Sequence, residues 1–305
     1  MSSRFGWALV VAVIMVASGP VPLMAGDDGP NTGKVSLSGG VDFVTAYYFR
    51  GIAQETHGFI AQPYVDIGLN ILEPDEGWLN SLDLGVGTWN SLHSEQTGAS
   101  GTGPESWYES DFIASISATI LENWTVGFAY VAYTSPNDAF NTVEEVDVML
   151  GYNDAAIWED LGIDIDGFEG LQPSMVLAFE VQDQADAGNG NVVGTNEGVY
   201  LELGISPGFT VLPNDQYPVT LTVPVTVGLS LDDYYESPVD LSDETFGYLD
   251  VGLDFSVPLA FIPGDYGGWA LSAGVHFLSL GDSLEEFNGG EDFEVIGKFS
   301  LTFDY

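Results

Sequence analysis

Cysteine is absent from the 305-residue chain, which excludes a disulfide framework, a lipidated cysteine, a thiolate metal site and a cysteine nucleophile. Basic residues are nearly absent too: four Lys and Arg stand against 46 Asp and Glu, for a formal net charge of -42. Nucleic acid and anionic lipid headgroups, both polyanions, are therefore poor partners. His57, His93 and His276 show no His-x-x-x-His or Glu-x-x-His spacing, so a metal site has no sequence support. Beyond the N-terminus no run of about eighteen uninterrupted apolar residues occurs, which excludes helical membrane spans. A Gly-x-Ser-x-Gly elbow and a phosphate loop are missing as well, and neither a catalytic residue nor a cofactor is expected.

What is present begins with Arg4, an apolar stretch from Trp7 to Ala17, the breakers Ser18, Gly19, Pro20 and Pro22, and the small pair Ala25 and Gly26. This is the layout of a secretory signal peptide, and its apolar part is too short for hydrocarbon, which takes about twenty residues. The expected division is a signal peptide over 1–25, with Ser18 as an alternative cleavage point, a short periplasmic segment over 26–33, and a single domain over 34–305. Export to a periplasm, outer membrane or exterior follows. Thirty-eight glycines, fifteen prolines and 13% aromatics, with hardly any 3.6-residue periodicity, point to an all-β chain rich in turns.

From Val35 to Arg50 the side chains alternate: Val35, Leu37, Gly39, Val41, Phe43, Thr45, Tyr47 and Phe49 share one parity, and Ser36, Ser38, Gly40, Asp42, Val44, Ala46, Tyr48 and Arg50 the other. Alternation over roughly sixteen residues exceeds the five or six usual for strands of soluble proteins. The pattern returns at 59–71, 82–89, 108–120, 124–133, 145–152, 174–181, 199–205, 219–230, 246–257, 269–280 and 293–305. Twelve strands, an even number, predict a transmembrane antiparallel β-barrel of the outer-membrane type. Closure satisfies every backbone group in lipid and leaves no open edge. The apolar parity then faces lipid, while the polar parity, holding nearly all strand-embedded carboxylates, lines the lumen. Pro224 on the polar parity weakens a ladder wherever it falls.

Aromatic residues near strand ends suggest girdles: Trp78, Trp124 and Trp269 on the inner side, and Tyr47, Phe49, Phe59, Tyr108, Tyr130, Phe246 and Tyr248 towards the outer. The chain stops on "FSLTFDY", an alternating strand whose terminal Tyr305 resembles the signal read by outer-membrane insertion machinery. Within the lumen, Lys298 is expected to pair with Asp42 or Asp66, and Arg50 with Glu294 near the outer rim, neutralising wall carboxylates through its guanidinium fork. Asp83, Asp111, Glu145, Asp147, Glu180, Glu202, Asp250 and Asp254 form an acidic wall of the kind that favours cations. A twelve-strand bore is narrow, with Tyr48, Trp89 or a loop as candidate plugs.

The expected function is passive passage of small, cationic or polar solutes; the alternative is a closed structural or adhesion barrel acting through acidic loops. The acidity fits salt adaptation as well as a cation-concentrating field. "DIDGFEG" (Asp164 to Gly170) and "DDYYESPVDLSDE" (Asp232 to Glu244) offer hard oxygens for calcium, without the full twelve-residue loop pattern; solvated loops explain them equally.

"AYYFRGIAQ", Ala46 to Gln54, resembles the Asp-Tyr-x-Phe-Arg-Gly-x-Ser-Gln signature of the TorF family of proteobacterial exported, porin-like proteins, departing from it at Ala46 and Ala53. "GTWNS", Gly87 to Ser91, is similar to that family's Gly-x-Trp-x-Ser segment. The resemblance covers about the first sixty residues after the signal peptide. It implies an outer-membrane barrel, no catalytic residues and no particular substrate.

Overall fold

A computed structural model describes residues 33–74, 76–98, 104–163, 165, 167–185, 196–214, 216–237 and 242–305; the expected signal peptide and residues 26–32 lie outside them. In chain order the strands are β1 (Val35–Val44), β2 (Tyr47–Phe49), β3 (Ile52–Glu55), β4 (Ile60–Leu72), β5 (Leu79–His93), β6 (Trp107–Ile120), β7 (Trp124–Thr134) and β8 (Val143–Tyr152). They continue as β9 (Ser174–Gln182), β10 (Val199–Ile205), β11 (Gly208–Leu212), β12 (Val219–Thr222), β13 (Val225–Asp232), β14 (Phe246–Pro258), β15 (Gly268–Leu280) and β16 (Phe293–Asp304). Two short helices, α1 (Ala155–Asp160) and α2 (Asp282–Phe287), sit at opposite ends.

Antiparallel neighbours pair all the way round, and β1 closes the ring against β16 with Val41 opposite Leu301 and Asp42 opposite Ser300. Two strands are interrupted by proline. β10 and β11 are separated by Ser206 and Pro207, and β12 and β13 by Val223 and Pro224. The breaks lie side by side: the Val223 N–H donates to the Pro207 carbonyl at 2.9 Å, and the Pro224 carbonyl accepts from Gly252 at 2.8 Å. Each proline falls where no ladder donor is required. Counting each broken strand once gives a closed antiparallel barrel of twelve strands.

The two parities separate as alternation requires. Outward positions are apolar and exposed, as at Ile67, Val86, Phe255, Phe299 and Phe128, the last 52% exposed. Inward positions include carboxylates, hydroxyls and glycines, with Asp147 on β8 only 1% exposed, alongside buried apolar side chains such as Ile113, Ala129, Val131 and Val176. A closed ladder inside an apolar sleeve fits hydrocarbon, because neighbouring strands pair their backbone groups all the way round.

The first strand departs from expectation. Its ladder ends at Val44, and Thr45 pins the exit point: its N–H donates to the Gly297 carbonyl at 3.0 Å, and its Oγ1 accepts from the Gly297 N–H at 2.8 Å. The chain then folds into the barrel as a two-stranded hairpin of β2 and β3. Its turn residues Arg50 and Gly51 have φ of 46° and 84°, the left-handed pair of a tight hairpin. Tyr47 and Phe49 are therefore buried inside the barrel and belong to no girdle. Tyr108 and Tyr248 are likewise buried, each for a different reason. A register shift between Ser91 and Leu92 breaks the alternation at Tyr108, while Tyr248 shares the inward parity of Asp250 and Asp254 and the shift between Gly228 and Leu229 turns only Phe246 outward. Phe59, Tyr130 and Phe246 remain exposed at the loop end, and Trp78 and Trp124 at the end carrying the termini.

Candidate functional site

The hairpin carries Arg50 across the lumen to the wall. Arg50 Nη1 and Nη2 donate to Glu145 Oε1 and Oε2 on β8 at 2.7 and 2.9 Å, and Nη1 also donates to the Tyr234 hydroxyl at 2.7 Å. Tyr133 donates to Glu145 Oε2 at 2.9 Å, and Tyr235 to the Arg50 carbonyl at 2.9 Å. The guanidinium carbon lies 4.1 Å from the Tyr200 ring centroid, with Phe49 and Tyr234 at 5.1 and 5.3 Å. Arg50 and Glu145 are 5% and 0% exposed. Burying such a pair is tolerable because every charge is met by a fork, phenols and ring faces.

Further contacts seat the hairpin on all sides. Tyr47 donates to Glu109 at 2.8 Å and Tyr48 to Glu294 at 3.2 Å. Asn288, after α2, accepts from the Ala53 N–H and donates to the Gly51 carbonyl, both at 2.8 Å. Tyr108 donates to Gln54. Glu55 accepts from Thr97, whose hydroxyl lies 2.7 Å from His93 Nδ1, and His93 Nε2 lies 2.8 Å from Ser91 Oγ. This serine–histidine chain has no catalytic access, since Ser91 is 0% exposed. It ties hairpin, loop and wall together.

Beside and below the hairpin, Tyr200 and Tyr248 both donate to Glu202, at 2.7 and 3.0 Å. His276 is held between Asp250 Oδ2 at 2.7 Å and Asp254 Oδ2 at 3.4 Å, and Lys298 Nζ lies 3.6 Å from Asp254 Oδ1. A cavity of about 40 Å³ lined by Gln62, Tyr48, Asp250, His276 and Lys298 has room for water. Towards the terminal end the wall changes character. Ser115, Ser117, Thr119, Thr125 and Thr226 are only half-buried, leaving a vestibule. Glycine makes space there: a Cβ on Gly87 would overlap the Asp66 carboxylate and one on Gly274 the Asp254 carboxylate, so both acids lie flat against the wall.

The residues read from sequence thus divide. Arg50 pairs with Glu145 and not with Glu294, because the inward fold of the hairpin points it across the barrel. Lys298 meets Asp254, with Asp42 in its electrostatic reach, since Lys298 stands opposite Val44 in the ladder. Glu180 accepts from the backbone N–H groups of Ala185 and Gly198 at 2.6 and 2.7 Å and so anchors a loop. Glu145 and Glu202 are likewise committed to partners, and Asp83 accepts from Asn70 and Ser81 at 2.8 and 2.7 Å. Asp42, Asp111, Asp147 and Asp250 are buried on the inner face, and Asp66 is half-buried there.

Sequence reasoning missed Tyr133, Tyr200, Tyr234, Tyr235, Glu55 and Glu109 and set Tyr47, Tyr108 and Tyr248 in a girdle, whereas Tyr48, a candidate plug, lies in the buried hairpin. Tyr234 and Tyr235 belong to one of the two calcium-candidate stretches. They insert into the barrel, while Glu236 and Asp243 bridge above them. Residues 164, 166 and 238–241 of those stretches lie outside the described residues. Among the described residues no group of three or more His, Asp or Glu side chains is arranged to hold a metal ion.

At the terminal end Asp154 organises the loop before β9. Its carboxylate accepts from the Trp158 indole at 2.7 Å and from the Leu171 and Gln172 N–H groups at 3.1 and 2.9 Å. Burial alone pushes this carboxyl up, but the three donors outweigh it and hold it below the usual carboxylate range.

No protein-family model matches the chain, and no curated protein matches it. Among solved structures it is similar to an outer membrane channel from Pseudomonas putida F1, at 12% identity and a TM-score of 0.43 over 92% of this chain and 99% of that one. It is also similar to the beta domain of the Bordetella autotransporter BrkA, at 8% identity and 0.40 over 90% and 99%. The NanC porin follows at 10% and 0.37 over 88% and 98%. Likenesses this loose add nothing to what the strand ladder already shows.

Proposed function

We propose that the protein is a porin-like channel of the bacterial outer membrane, passing small polar or cationic solutes through an acidic lumen whose outer half is closed by the β2–β3 hairpin. In this reading the end where β1 begins and β16 ends faces the periplasm and the opposite loops face outward, the arrangement usual for outer-membrane barrels. The observation that carries this reading is the charge of the inner wall. Asp42, Asp66, Asp83, Asp111, Asp147, Asp250 and Asp254 line it, while its cations are Arg50 and Lys298, with His276 between two acids. Arg50 is already spent on Glu145, so lumenal carboxyl groups outnumber the cations left to pair with them, a lining of the kind that favours cations.

The resemblance to the TorF family gains a physical meaning under this reading, because "AYYFRGIAQ" is the plugging hairpin itself. A second reading, a permanently closed structural barrel, is favoured by the same tight packing at the loop end. Planar-bilayer recording in a salt gradient separates the two. The channel reading expects cation-selective reversal potentials that shrink towards zero when Asp66, Asp83 and Asp147 are all replaced by Asn. A barrel silent even with residues 46–55 replaced by a short Gly-Ser turn is structural.

A further inference from the structure

The cage around Arg50 has the composition of a receptor for a guanidinium ion. Glu145 offers both carboxylate oxygens in one plane, the Tyr234 hydroxyl accepts a third N–H bond, and the Tyr200 ring lies 4.1 Å under the guanidinium carbon. The Tyr133 phenol holds the far oxygen of Glu145, which fixes the fork before anything binds. Planar, delocalised and weakly hydrated, guanidinium suits such a site, whereas an ammonium meets the fork only as a point charge. The arginine reaches the cage at a backbone cost. It adopts φ of 46° in a turn position that favours Asn, Asp or Gly, and a left-handed arginine is kept where its surroundings over-determine it.

We propose that Glu145, Tyr133, Tyr200 and Tyr234 form a binding site for small guanidinium-bearing solutes, which Arg50 occupies as a tethered ligand. The hairpin is then an internal competitor: while Arg50 is docked the site is filled, and a solute carrying the same group exchanges with it when the hairpin lifts. Sodium, potassium and quaternary ammonium ions lack the in-plane N–H donors that the fork requires.

Guanidinium chloride titrated into detergent-refolded Arg50→Gly protein, followed by isothermal calorimetry and melting temperature against equal concentrations of sodium chloride, tests this. Glycine accepts the left-handed turn, so the variant vacates the cage and relaxes the backbone; Arg50→Asn serves equally if the glycine variant does not refold. The expected result is saturable binding with a dissociation constant on the order of a millimolar, as befits so small a ligand. A rise in melting temperature should accompany it, and at least a tenfold loss of affinity should follow when Glu145→Gln is added. The wild-type protein, its cage filled, should show no binding at these concentrations. Absence of saturable binding in the single variants, or equal binding with and without Glu145→Gln, overturns the proposal. The readout needs no conductance, so a barrel that proves silent in bilayers leaves this inference standing.

Discussion

The Arg50 guanidinium and the Glu145 carboxylate, 95 residues apart in sequence, meet inside the barrel as a two-pronged pair at 2.7 and 2.9 Å. Removing one partner of such a buried pair leaves an uncompensated charge. Glu145→Gln is expected to destabilise the docked hairpin by about 3–5 kcal/mol, limited by what it costs the hairpin to lift into water. Hydrogen exchange of the amides from Tyr47 to Glu55 should accelerate, with the wall strands unaffected. The paired change Arg50→Met with Glu145→Leu should recover most of the protection.

Glycine at 228 lets the Tyr248 ring lie against β13, where it reaches Glu202 and Tyr200. Gly228→Ala places a methyl group inside that ring and should cost about 1–3 kcal/mol, read as a lowered melting temperature. Gly264→Ala, where a Cβ meets open space, serves as the control and should leave the transition in place.

Phe128 and Ser117 lie on neighbouring strands at similar height but on opposite faces, the first exposed outward and the second half-buried towards the vestibule. Phe128→Arg should lower folding stability in lipid vesicles by about 2–4 kcal/mol, whereas Ser117→Arg should leave stability nearly unchanged and reduce cation preference. Equal costs for the two substitutions would remove the distinction between lipid and lumen faces.

The carboxyl of Asp154 is held below its ordinary range in the folded loop. Its stabilising effect is therefore fully present above the unfolded carboxyl's titration range and is lost as pH falls through the lower, folded value. Protection of the loop from proteolysis should accordingly decline below about pH 4. Asp154→Asn should loosen the same loop at neutral pH by about 1–2 kcal/mol through lost charge-assisted hydrogen bonds.

Much of the barrel was legible in the alternation, since lipid outside and water inside impose opposite chemistry on successive residues. Each expected strand has its counterpart, and Asp147, Asp250 and Asp254 face inward as their parity required. What parity cannot encode is a departure from the sheet. Tyr47 to Arg50 continues the parity of β1 just as an unbroken strand would, and only Arg50–Gly51, a pair able to hold two left-handed residues, marks a turn. The tyrosine network was equally hidden: Tyr234 and Tyr235 stand among acids that read as a solvated loop. Register shifts turn Tyr108 inward and Phe246 outward without leaving a sequence signal of their own. Long-range partners such as Glu145 for Arg50 depend on shear and on the hairpin's path, which no local spacing records.

Single-channel recording of the wild-type barrel and of Glu145→Gln under one set of bilayer conditions tests most directly whether a latched hairpin closes an acidic channel. The account predicts rare, brief openings in the wild type and frequent, cation-selective openings once the latch is cut. Identical traces from the two proteins, whether both silent or both freely conducting, would contradict it.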